Sequence, residues 1–72
     1  MASFCERLQE LKKQNNLMQK KIATDNDLSL RAYQYYERGE REPSMSSLIS
    51  LADYFDVSLD YLVGRLDDLK RH

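Results

Sequence analysis

Few side chains in this sequence can make or break bonds. Cys5 is the one cysteine and His72 the one histidine of 72 residues, so neither an internal disulfide nor a Cys/His metal cluster can be assembled. No Ser-His-Asp set, pair of buried carboxylates or phosphate-cradling glycine loop can be drawn from the rest. The sequence therefore reads as a non-enzyme that calls for no metal, no cofactor and no small-molecule substrate. Cys5 reads as a small half-buried residue of the first helix, and His72 as an inert chain end. What remains is recognition chemistry, carried by cations, amides and one exposed helix face. A formal net charge of -1 speaks against a polyanionic partner. The distribution says more: eight basic against five acidic residues from Arg7 to Arg41 give a net of +3, and three against six from Glu42 to His72 give -3. The basic share lies on the part of the chain that carries the donors Gln19, Lys20, Arg31, Gln34, Arg38 and Arg41.

These side chains need a scaffold, and its elements can be read locally. Ser3 with Glu6 forms a capping box that starts a first helix, and Phe4, Leu8 and Leu11 recur at helical spacing until Asn15-Asn16, residues that tolerate a left-handed backbone. Leu17 is expected to tuck into the core. A second short helix runs from about Met18 to Asn26, with Ile22 and Ala23 inward and Lys20, Lys21 and Thr24 outward. Its cap is weak because Met18 has no side-chain oxygen. Ser29 caps a third helix whose inward set is Ala32, Tyr33 and Tyr36 and whose other face is Leu30, Arg31, Gln34 and Tyr35; Gly39 ends it. Pro43 forces the next helix to start after it. Ser44 caps that helix, in which Leu48, Ile49, Leu51, Ala52 and Phe55 form a broad apolar face. Ser58 caps a fifth, with Leu59, Leu62 and Val63 apolar and Gly64 as its stop. With no strand alternation and no repeat, the reading is all-α: a compact five-helix bundle in one domain over 1–65, followed by a C-terminal tail over 66–72.

The segment QKKIATDNDLSLRAYQYYERG, residues 19–39, joins two short helices by a four-residue connection and closes on a glycine cap, which is how a helix-turn-helix is built. Ala23 is small enough for the third helix to cross closely, Asp27 can take positive φ at the turn, and Ile22, Leu28, Tyr33 and Tyr36 lock the angle. Around it, RLQELKKQNNL, YERGEREPS and LADYFDVSLDYLVGR resemble the first helix, the end of the recognition helix with its loop, and the last two helices of the Cro and phage-repressor family. The resemblance covers roughly residues 4 to 65, nearly the whole chain. It implies a lambda repressor-like DNA-binding domain and a sequence-specific transcriptional regulator, repressor-like and of phage or prophage type. The recognition helix, about 29–38, would lie in the major groove. It also implies a homodimer on a palindromic operator in double-stranded DNA.

Site roles follow from the same resemblance. Gln19 stands where the family usually has a glutamine that meets a backbone phosphate at a helix amino end, and Lys20, Arg38 and Arg41 are the further DNA backbone contacts. Base contacts fall on Leu30, Arg31, Gln34 and Tyr35. Arg31 suits guanine O6 and N7, and Leu30 suits a thymine methyl. Glu37 corresponds to a family residue that bonds within the fold. The sequence departs from the family at Met18, Asn26 and Asp27, where the family more often has a capping hydroxyl, an apolar residue and a glycine.

Blander readings apply to several of these residues. Lys12, Lys13, Lys20 and Lys21 also read as a solvated helix face. Tyr33 and Tyr36 point inward by spacing, while Tyr35 fits either a packed or an exposed position. Asp67, Asp68, Lys70 and Arg71 read as a solvated tail, although Leu59, Leu62, Val63, Leu66 and Leu69 also fit one stripe that continues into a dimer contact. A protein-interaction module on the same fold, such as part of an antirepressor or toxin-antitoxin system, is the alternative function. No apolar run approaches the ~20 residues that span a bilayer, and the amino terminus lacks a basic region followed by an apolar stretch. The expected setting is soluble and cytoplasmic, without a membrane partner.

Overall fold

Four of the five helices among the described residues begin on a serine whose hydroxyl accepts a backbone N–H of the first turn: Ser3 from Glu6, Ser29 from Ala32, Ser44 from Ser47 and Ser58 from Tyr61. Each bond satisfies a donor that the helix itself leaves free. The computed structural model describes residues 3–64, and in that range the elements are α1 Phe4–Gln14, α2 Gln19–Asp25, α3 Leu30–Arg38, α4 Met45–Phe55 and α5 Leu59–Leu62. No strand occurs among the described residues. The tail expected over 66–72, with Leu66, Leu69 and His72, lies outside the described residues. At α1 the capping box is complete, with the Glu6 carboxylate accepting from the Ser3 N–H at 3.2 Å. Met18 caps α2 without a side-chain bond, as its chemistry predicts.

Helix ends are set by residues that accept a left-handed backbone. Asn16 follows α1 at φ 53, Asp27 follows α2 at φ 59, Asp56 caps α4 at φ 56 and Gly39 caps α3 at φ 72. At Gly39 a Cβ would also stand 3.4 Å from Cys5 Sγ, so the half-buried thiol of α1 packs directly under the end of α3. The turn from α2 to α3 is four residues long, Asn26 to Ser29, and Leu28 N–H closes it onto Ala23 C=O at 2.8 Å.

α3 packs across both α1 and α2, and α5 closes against α1 and α4. Between them lie Leu8, Leu11, Ile22, Ala23, Tyr33, Tyr36, Leu51, Ala52, Val57, Tyr61 and Leu62, all buried, with Phe4, Leu17, Leu28, Leu48, Tyr54 and Phe55 packed against them. Phe4 meets Tyr36 edge to face at 6.3 Å, and Tyr54 meets Phe55 at 5.2 Å. Each fully buried aliphatic side chain contributes about 1.5–3 kcal/mol relative to exposure.

Two inward assignments are corrected: Ile49 is exposed, and Ala32 is only half-buried. Leu59, read only as apolar, is exposed as well. In α4 the inward stripe 48, 51, 52, 55 is already as wide as one helix face allows, so Ile49 falls at its edge. In α5, one turn long, Tyr61 and Leu62 turn inward and leave Leu59 outside. Tyr61 is buried under the Arg7 guanidinium, which stands 4.2 Å from its ring centroid; Arg7 is itself buried.

Two side-chain bonds tie α2 to α4. Asn26 is buried, donates through Nδ2 to Ile22 C=O at 2.8 Å and accepts from Ser50 Oγ at 2.7 Å. Tyr54 Oη donates to Asp25 Oδ2 at 2.7 Å, and Lys21 pairs with the same carboxylate at 3.1 Å. The hydrogen bonds from Tyr54 and Lys21 hold the Asp25 carboxyl below its ordinary value. Its stabilisation is then present above the usual aspartate range and is lost as pH falls through the lower folded value. Asp25→Asn is expected to unfold at lower urea than the parent chain at neutral pH and to converge with it at about pH 2. A gap that persists in acid would assign the effect to packing instead.

Candidate nucleic-acid interface

The amino ends of α2 and α3 and the loop after α3 carry the residues singled out from the sequence. Ser29 starts α3 so that Leu30 and Arg31 occupy its first turn, and both are exposed. Met18, immediately before α2, is 76% exposed, and Lys20 beside it is exposed as well. Gln34 and Tyr35, one turn further along α3, are half-buried.

Gln19 and Gln34 come together: Gln34 Nε2 donates to Gln19 Oε1 at 3.2 Å. Behind them Gln19 Nε2 donates to Glu37 Oε1 at 3.1 Å, and Lys12 Nζ reaches the same oxygen at 2.9 Å. The Glu37 side chain is 6% exposed and that of Lys12 25%. The backbone of Glu37 is held too, since Gln9 Nε2 donates to its carbonyl at 2.7 Å, taking up one of the acceptors that the end of α3 leaves over. Tyr33 lies beside the carboxylate, and burial together with that neighbouring charge pushes its phenol above the usual tyrosine value. Glu37 thus bonds wholly within the fold and joins α1, α2 and α3.

Tyr35, Arg38 and Arg41 form the second cluster. The Arg41 guanidinium stands 4.9 Å and that of Arg38 5.3 Å from the Tyr35 ring centroid, within reach of cation–π attraction. Arg38 Nε also pairs with Glu40 at 2.7 Å. Tyr35 is half-buried, with both guanidinium groups beside its ring. Lys20 and Arg31 stand apart from both clusters, without an ion pair or side-chain hydrogen bond among the described residues.

Sequence reading misses Lys12 and Gln9. Lys12 reads as part of a solvated face, yet it is the cation of a mostly buried pair. The available signal is its position four residues after Leu8 and next to Leu11, at the margin of the inward stripe of α1. Asn26, a departure from an apolar position, proves to be a buried residue with both ends of its amide bonded.

A short α2 joined to an exposed-faced α3 by a four-residue turn, with a left-handed residue inside it and glycine at its end, defines a helix-turn-helix domain. A helix-turn-helix family model matches residues 8–62, and the chain belongs to that family, in its Cro and phage-repressor branch. It is 40% identical over 60 residues to the cryptic phage CTXphi transcriptional repressor RstR of Vibrio cholerae, covering 83% of this chain and 54% of that one. The HTH-type transcriptional regulator YqaE of Bacillus subtilis is 42% identical over 60 residues, covering 83% of this chain and 52% of YqaE. A crystal structure of a transcriptional regulator from Listeria innocua superposes with a TM-score of 0.84 at 37% identity, covering 97% of this chain and 65% of that one. The chain thus spans about half the length of the curated relatives it matches.

Proposed function

We propose that this chain is a sequence-specific DNA-binding transcriptional regulator, repressor-like, with α3 in the major groove. The observation that carries the reading is the exposed first turn of α3, where Arg31 stands free of intramolecular partners among the described residues beside Leu30. A guanidinium in that position matches the paired acceptors of guanine, and an apolar neighbour matches a thymine methyl. Gln19 is the phosphate contact at the start of α2, because its Nε2 carries a second proton beyond the one given to Glu37. Lys20, Arg38 and Arg41 supply backbone cations around it, and Tyr35 serves chiefly to hold the two arginines. Two copies on a palindromic operator would place their recognition helices about 34 Å apart. The setting would be cytoplasmic, and no helix among the described residues is long and apolar enough to cross a membrane.

Selection from a random duplex pool tests the reading: a defined consensus is expected, and recovery of unselected sequence would end it. On the consensus, Arg31→Ala is expected to cost about 1–3 kcal/mol and to relax one base position. Unchanged affinity and preference in a gel shift would remove Arg31 from the readers.

A second reading, a protein-interaction module on the same fold, draws on the exposure of Met18, Leu30, Met45, Ile49 and Leu59 and on the net charge of -1. It predicts that Arg31→Ala leaves partner binding intact while Leu30→Asp abolishes it.

A further inference from the structure

The front of α3 sets two unlike side chains next to each other. Leu30 is the large apolar residue that α3 leaves exposed, at 41%, and Arg31 beside it is exposed as well. Ser29 caps the helix by accepting the Ala32 N–H at 3.0 Å, which fixes the backbone on which Leu30 stands. The fold covers the rest of the leucine, so its side chain loses little further freedom on meeting a partner. Leucine carries no donor and no acceptor. What it recognises on a base edge is therefore a shape rather than a hydrogen-bonding pattern, and the apolar feature of the major groove is the methyl group of thymine. A cytosine methylated on the same ring carbon presents that group at the same place in the groove. Its amino group differs from the thymine carbonyl in a polarity that Leu30 does not read.

We propose that Leu30 makes this chain a reader of pyrimidine methylation: it accepts thymine and 5-methylcytosine alike, so that methylating a cytosine at its base position strengthens binding. The proposal rests on the DNA-binding reading above and extends it to a ligand class, duplex DNA bearing 5-methylcytosine. Taking one methyl group out of water between Leu30 and the base is worth about fourfold in affinity. Thymine against uracil, and 5-methylcytosine against cytosine, each change that methyl and leave the donors and acceptors of the base pair as they were. The two comparisons should give the same factor.

Random-pool selection with the parent chain and Leu30→Ala locates the position: the base pair that the substitution relaxes should hold thymine in the parent consensus. Four synthetic duplexes that differ only there, with thymine, uracil, cytosine or 5-methylcytosine on the contacted strand and the matching base opposite, are then titrated in gel shifts. The parent chain should lose about fourfold from thymine to uracil and gain about fourfold from cytosine to 5-methylcytosine. Both steps should vanish in Leu30→Ala. A step that persists in Leu30→Ala, or a thymine step without a matching cytosine step, overturns the proposal. So does a substitution that relaxes no position, or one that relaxes a guanine and cytosine pair. If Leu30→Ala does not fold by circular dichroism, uracil placed in turn at each thymine of the consensus locates the position on the parent chain. Leu30→Val, one carbon shorter, should then shrink both steps; undiminished steps, or a consensus in which no thymine responds, overturn the proposal. A parent chain that selects no sequence fails the DNA-binding reading itself, an outcome distinct from all of these.

Discussion

Tyr33→Ala is expected to lower unfolding free energy by about 3–5 kcal/mol, the usual cost of emptying a large aromatic site in a close-packed core. Tyr33 has no exposed surface and heads the fully buried side chains by volume. It sits where α3 crosses α1 and α2, so no single neighbour can move in to fill the space. A domain of this size holds roughly 4–11 kcal/mol in total, and the variant should melt far below the parent or be largely unfolded at ambient temperature. Tyr33→Phe is the control. The phenolic oxygen has no well-aligned hydrogen bond, so its removal should change stability by less than about 1 kcal/mol. Urea titrations followed by circular dichroism separate the cases, and a Tyr33→Ala loss below about 1 kcal/mol would show that the site collapses freely.

Lys12→Met is the second large effect. It preserves most of the side chain's volume and removes the cation that faces a nearly buried carboxylate. Breaking a buried pair from one side costs about 3–5 kcal/mol because the remaining charge is left uncompensated. Here the lower end, about 3 kcal/mol, is expected, since Gln19 still donates to Glu37 and the Lys12 side chain keeps a quarter of its exposure. Adding Glu37→Met to Lys12→Met should restore most of the loss, because two apolar side chains need no mutual solvation. If the double variant is no better than the single, the cost lies in packing around Lys12 rather than in the stranded charge. A double-mutant cycle in urea gives the coupling directly.

Local signals in the sequence place the helices well and the polar interior poorly. The serine caps, the capping box, the left-handed stops at Asn16 and Gly39 and the inward tyrosines of α3 all depend on neighbours within four residues, which a linear reading sees. Lys12 pairs with a partner 25 residues away and Gln19 with one 18 away, and no spacing rule links such positions. Asn26 looks like a flaw in an apolar slot because its partner, Ser50, belongs to another helix. Ile49 reads as inward because apolar spacing shows how wide a stripe is but not how much of it a neighbour covers. On the candidate interface, the exposed Leu30 and Arg31 are legible from helix periodicity. The role of Tyr35 as a platform is not, since Arg41 reaches it from the loop beyond the helix.

The ion pairs also fix a stoichiometry. Of the eight basic residues between Arg7 and Arg41, Arg7 lies against Tyr61 and Glu10, Lys12 is matched by Glu37, Lys21 by Asp25 and Arg38 by Glu40. Cations already neutralised inside the fold release few counterions when a phosphate approaches. Arg7 and Lys12 are held within the fold, whereas Lys21 and Arg38 sit in exposed pairs that a phosphate can displace, and Lys13 lies on α1. On the candidate interface this leaves Lys20, Arg31, Arg38 and Arg41 as the cations able to release counterions. A log–log plot of affinity against salt should then fall with a slope of about -4 per copy, short of the count of eight that composition suggests.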